Sequence, residues 1–208
     1  MHPANDISLA ANTITSPCEQ NNLAQLLLNN QFFCWFFPVF AYIFAVLLQT
    51  KLNDLVGMQY GASILYLSFG VRFFVALLLG LQGLIWMLFG QVFIFAFYPT
   101  PYYNEHPVES FLLSCSYSAI AFLAVEVVRK LKRLDTSFST AHSTDILLIT
   151  AIGSFIATLA HGAVLGSLFQ DPAYSMITSF LAKLVGAMIG FYGLLFLFSL
   201  LYRIRLKK

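Results

Sequence analysis

ASILYLSFGVRFFVALLLGLQGLIWMLFGQVFIFAFY, residues 62–98, carries a single charge, Arg72. As one straight helix at 1.5 Å per residue, about 37 residues would reach about 55 Å, against a bilayer core of about 30 Å. The stretch is therefore too long for one span and too apolar for a loop. Gly80-Leu81-Gln82-Gly83 offers the turn that folds it into a hairpin of two helices, 62–79 and 83–98.

The rest of the chain reads in the same way. Of 208 residues, 59% are hydrophobic and 10% charged, and 22 are Phe. A soluble domain carries about 25% charged residues, so this composition excludes a water-exposed globule and makes the lipid bilayer the solvent. Further spans are expected at 32–50, 111–128, 146–169 and 175–202, with Pro38 as a kink in the first and Asp145 as a cap for the fifth. The predicted fold is all-α: a polytopic membrane protein with six transmembrane helices over 32–202. A polar segment, 1–31, precedes them, disordered apart from a short amphipathic piece around Leu23–Leu28. A basic tail, 203–208, follows. No signal peptide is evident, because no Lys or Arg precedes an apolar core in 1–31.

Lys and Arg set the orientation. Arg129, Lys130, Lys132 and Arg133 follow the fourth span, and Arg203, Arg205, Lys207 and Lys208 follow the sixth. The opposite connections hold Asp54, Glu105, Glu109 and Asp171 but only one lysine, Lys51. Both termini are therefore expected in the cytoplasm, in a cell inner membrane. The basic segments suit that side, anionic lipid and a docking protein.

Ionisable residues inside spans are costly and lead toward function. Arg72, His161 and Lys183 all fall at middle to outer depth, and Gln82 and Gln91 are polar neighbours able to bond between helices. These five are the candidate ligand-binding residues. A charged residue at the bilayer centre costs about 2.5–3.5 kcal/mol on the insertion scale, so water, helix carbonyls, a loop carboxylate (Asp54, Glu109 or Asp171) or a bound anion must offset the cluster. Glu126 lies at the cytoplasmic end of its span, where a pair with Lys130 at i,i+4 accounts for it. Gly162-x-x-x-Gly166 and Gly186-x-x-x-Gly190 are small-residue patterns expected to pack the fifth helix on the sixth. Cys18, Cys34 and Cys115 lack paired spacing and read as packing residues. Neither a metal motif nor a phosphate loop is present, so no catalytic residue, metal or cofactor is expected, and no nucleic-acid partner. Cys115, Arg129 and His142 stand in the order used by exosortase-type transpeptidases, but far too close together.

Ser68-Phe69-Gly70, Gly80 and Gly90, with Ala182-Lys183-Leu184-Val185-Gly186 in the last span, resemble the MASE1-type integral membrane sensory domains of bacteria. The resemblance covers about half of the chain. It departs from the family where a proline precedes the first glycine and where Lys183 replaces an acid. It implies a sensory domain that acts on a cytoplasmic output. No such domain follows the sixth span here, so signalling through a partner protein is expected. Two other classes fit the same sequence. Six short helices in about 200 residues resemble the substrate-binding components of energy-coupling-factor importers, here suited to a small anion. A structural subunit of a larger membrane complex would instead pair Arg72 with an acid on another chain.

Overall fold

The computed structural model describes residues 31–56, 65–98, 107–134, 142–165 and 172–206. Among the described residues five helices run in chain order: α1 (Gln31–Val56), α2 (Leu67–Phe97), α3 (Pro107–Lys132), α4 (Ser143–Leu165) and α5 (Pro172–Leu206). Each is long and apolar enough to cross a membrane. A helix satisfies its own backbone donors and acceptors, which is what a chain without water around it requires. The architecture is an all-helical, multi-pass bundle.

α2 is not straight. Gly80 sits at φ 56°, ψ −135° inside it, a conformation that residues with a Cβ rarely adopt. Arg72 and Gln91 both donate to the same atom, Ser118 Oγ. In an unbroken helix their positions would lie about 28 Å apart. A Cβ on Gly83 would stand 2.6 Å from Val75 Cγ1 and 2.9 Å from the Val75 carbonyl oxygen. The chain therefore doubles back at Gly80, and the arms 67–79 and 81–97 lie side by side. This is the turn expected from the length of the apolar run.

The first arm is the centre of the bundle. Ten consecutive residues, Leu67 through Ala76, are buried. A helix apolar on every side is stable only when surrounded, and this arm is enclosed by α1, α3 and α5, while α4 packs against α3 and α5. Aromatic rings fill the joints: Phe74 stacks on Phe198 at 5.4 Å and meets Phe191 edge-on at 5.5 Å.

Several boundaries differ from the sequence reading. α1 runs through Pro38 without ending and continues past residue 50 over the exposed Lys51 and Asp54, where polar side chains cost a helix little. α3 starts at Pro107 rather than 111, because proline fits the first turn of a helix. α4 begins at Ser143. His142 precedes it, and its backbone N–H donates to Asp145 Oδ2 at 2.9 Å. Asp145 thus reaches back from the third helical position, the acidic half of a capping box, instead of standing at the N-cap. Glu126 pairs with Arg129 at 2.5 Å, one residue nearer than the expected Lys130.

The glycine pattern of α5 has a different partner from the one expected. A Cβ on Gly186 would collide with the Tyr66 backbone, standing 2.8 Å from its carbonyl carbon, and one on Gly190 would stand 2.6 Å from the Leu67 oxygen. Gly70 answers from the other side: a Cβ there would stand 2.7 Å from Phe191 N and 2.9 Å from the Gly190 Cα. α5 thus crosses the first arm of α2 backbone to backbone, and Tyr66 N donates to the Ala182 carbonyl at 3.2 Å. The central arm needs close neighbours on all sides, and only the small-residue face of α5 can approach it. At Gly162 of α4, by contrast, the nearest atoms a Cβ would meet are those of the Met176 side chain, at an ordinary 3.6 Å. Gly166, the piece at 1–30 and the carboxylates Glu105 and Asp171 lie outside the described residues.

Candidate functional site

Arg72 comes from the central arm and points into the bundle, only 3% exposed. Its Nε donates to Ser118 Oγ at 3.1 Å, and Nη2 donates to Tyr42 Oη and to Ser114 Oγ, each at 3.0 Å. Ser114 and Ser118 stand four residues apart on α3, which puts both hydroxyls on one face toward the guanidinium. Tyr42 reaches in from α1, and its ring lies 4.9 Å from the guanidinium carbon. Gln91, on the second arm, donates from Nε2 to the Ser114 carbonyl at 3.1 Å and to Ser118 Oγ at 2.5 Å. That orientation leaves Gln91 Oε1 buried with no hydrogen-bond partner among the described residues.

Lys183 enters from α5 and is fully buried. Its ammonium donates to Ser179 Oγ, one turn back on the same helix, and sits 4.6 Å from the Tyr66 ring centroid. His161 is buried on α4, and its Nδ1 shares a 2.7 Å hydrogen bond with Tyr117 Oη. Tyr117 joins the parts. Its ring centroid is 5.7 Å from the Arg72 guanidinium carbon and 5.5 Å from Lys183 Nζ.

Hydroxyls and ring faces compensate for lost hydration. Hydrogen bonds to a charged group contribute about 1.5–3 kcal/mol and desolvated cation–π contacts about 2 kcal/mol. Neutral dipoles do not cancel the net charge, however. Four carboxylates fall among the described residues, and none faces this cluster: Asp54 and Glu109 are exposed, Glu126 bonds Arg129, and Asp145 lies 3.7 Å from Lys132. Nη1 of Arg72 makes no hydrogen bond among the described residues. The arrangement can hold a negative charge, and no cluster of His, Cys, Asp and Glu able to hold a metal occurs among the described residues.

The structure thus brings together Arg72, His161, Lys183 and Gln91. It leaves Gln82 apart, exposed on the turn after Gly80. Sequence reasoning missed Tyr117, Ser114, Ser118, Tyr42 and Tyr66. The run Ser114-Cys115-Ser116-Tyr117-Ser118 was the available signal, an unusually polar patch in the middle of a span. Cys115 in that run is half-buried and Cys34 is buried.

Comparison with family models, with curated proteins and with solved structures finds no match for the chain.

Proposed function

We propose that the chain is a sensory or interaction module of the bacterial inner membrane, which holds a small anionic ligand within its helix bundle and acts through a protein partner. One observation carries the reading: Arg72 and Lys183, both buried, converge on Tyr117 without a carboxylate among the described residues. A charge that costs this much to bury and has no structural counter-charge is kept for what it binds.

The proposed topology has six spans and cytoplasmic termini, with each arm of α2 crossing once. The arms measure about 20 Å and 26 Å at helical rise, short for a core of about 30 Å. The Gly80 turn then lies just under the inner headgroups, where the exposed Gln82 reaches the polar zone. Trp35 and Trp86 stack at 5.8 Å toward the same end, as interfacial tryptophans do. Arg129, Lys130, Lys132 and Arg133 lie on that side too. The MASE1 resemblance supports a sensory role, and its glycines include those at the crossing of α2 and α5. A transport subunit is the second reading. The cluster favours it through its depth, since His161 lies near the outer end of α4 and Tyr66 just precedes α2. A structural subunit that pairs Arg72 with another chain fits less well, because Arg72 faces inward.

The test is affinity purification in mild detergent, with mass spectrometry of co-purifying proteins and small molecules and ion chromatography of released anions, for wild type and Arg72→Met. An anion held in near-stoichiometric amount by wild type and lost from the variant supports the reading. A stable protein partner with no anion in either form overturns it.

A further inference from the structure

We infer that the ligand of this site is a small carboxylate monoanion with a hydroxyl next to its charge, bicarbonate or a short 2-hydroxy acid. Arg72 Nη1 donates to its carboxylate, and its hydroxyl donates to Gln91 Oε1. The inference rests on the reading above and deepens it by naming the ligand class. Two residues of α3 tie Arg72 to Gln91. Ser118 Oγ accepts from Arg72 Nε at 3.1 Å and from Gln91 Nε2 at 2.5 Å. Ser114 accepts from Arg72 Nη2 at its hydroxyl, at 3.0 Å, and from Gln91 Nε2 at its carbonyl, at 3.1 Å. The guanidinium and the amide are therefore neighbours, brought together from the two arms of α2.

Each of the two has one atom unspent. The Ser114 carbonyl can only accept, so the amide atom facing it is the nitrogen, and the oxygen of Gln91 is turned elsewhere. Gln91 is 1% exposed, and that oxygen has no hydrogen-bond partner among the described residues. A buried acceptor without a donor is rare in a folded protein. Arg72 spends Nε and Nη2 on protein oxygens and leaves Nη1. Nη1 is not among the fully buried atoms that lack a partner, so the small part of Arg72 that stays accessible includes it. A halide or a plain carboxylate would answer the guanidinium and leave the amide oxygen stranded. A neutral alcohol would do the reverse, and arginine does not lose its charge. An amino acid brings a donor as an ammonium, but Arg72 and Lys183 already flank Tyr117 with positive charge, and a third cation is repelled. A hydroxyl is the donor that remains. Ser118 and Tyr42 beside the guanidinium are buried as well, which favours the shortest members of the class.

The experiment follows the thermal unfolding of the purified full chain in detergent, at fixed mildly alkaline pH and constant ionic strength. Bicarbonate is titrated against formate, and glycolate against acetate; each pair differs by one hydroxyl. At least one hydroxylated anion is expected to raise the melting temperature at a roughly tenfold lower concentration than its partner. Gln91→Met should remove that advantage, and Arg72→Met should abolish the response to all four anions. The comparison within wild type decides even where a variant fails to fold. Equal responses within both pairs overturn the inference and, where Arg72→Met loses them, leave the proposed function standing. An advantage that persists in Gln91→Met also overturns it. No response to any of the four overturns the inference too; a different anion co-purifying with wild type then keeps the proposed function, and its absence removes both.

Discussion

Arg129 and Arg72 are the same side chain in two settings. Arg129 ends α3 beside Glu126 at 2.5 Å, with both side chains partly in solvent, and Lys132 lies 3.7 Å from Asp145 with its own side chain 53% exposed. At that end each of these cations has a carboxylate, and each pair is worth about 0–1 kcal/mol in water. About three to four turns up the bundle, Arg72 and Lys183 are dry, and their described partners are hydroxyls and rings. The cations whose burial costs least are paired, and those whose burial costs most are not. Stability alone would select the reverse. The charged end therefore reads as an orientation and surface device, and the interior cluster as a place where a charge is expected from outside the chain.

Arg72 offers the strongest way to break this comparison. Arg72→Ala should cost about 2–5 kcal/mol, as a large buried side chain is removed and Ser118, Ser114 and Tyr42 lose a donor. Arg72→Met fills the same volume and should unfold within about 1 kcal/mol of wild type, since apolar replacement of buried charge is commonly neutral or better. Thermal or denaturant unfolding in detergent measures both. If Met is as harmful as Ala, the guanidinium is a structural staple and the contrast with Arg129 collapses.

Gly186→Ala is the next test. The new Cβ meets backbone atoms of Tyr66, which cannot swing away as a side chain would. A loss of about 1–3 kcal/mol is expected, together with displacement of the ring that covers Lys183; stability in detergent unfolding and the anion retained through purification should fall together. Ser118→Ala sharpens the interior side more finely. It strands Arg72 Nε and one donor bond of Gln91, for an expected loss of about 1–2 kcal/mol in the same unfolding assay. Lys132→Ala marks the other side and should change stability by less than about 0.5 kcal/mol, with even that difference vanishing in high salt. A larger effect would mean that the charged end also bears structural weight.

Part of this was legible in the chain. The reversal at Gly80 followed from a conflict of lengths, since the apolar run at 62–98 exceeds any bilayer. Counting residues inward from charged ends put Arg72, His161 and Lys183 at similar levels, and all three lie around Tyr117. Which way a side chain faces did not follow. In a helix apolar on every side, rotation about its axis leaves no trace in hydropathy, so Tyr117, Ser114 and Tyr42 looked like any hydroxyl in a span. Gly186 and Gly190 announced a narrow face on α5 but not the helix that would fill it. Gln82 was grouped with the site by residue type, and the turn at Gly80 carries it to the surface.

The most direct measurement is an experimental density map of the full chain in a lipid nanodisc at a resolution that shows side chains. The expected result is a non-protein feature beside Arg72 or Lys183 in the interior of the bundle. A carboxylate of the chain itself, from a connecting segment such as the one holding Asp171, bonded to both cations would contradict it.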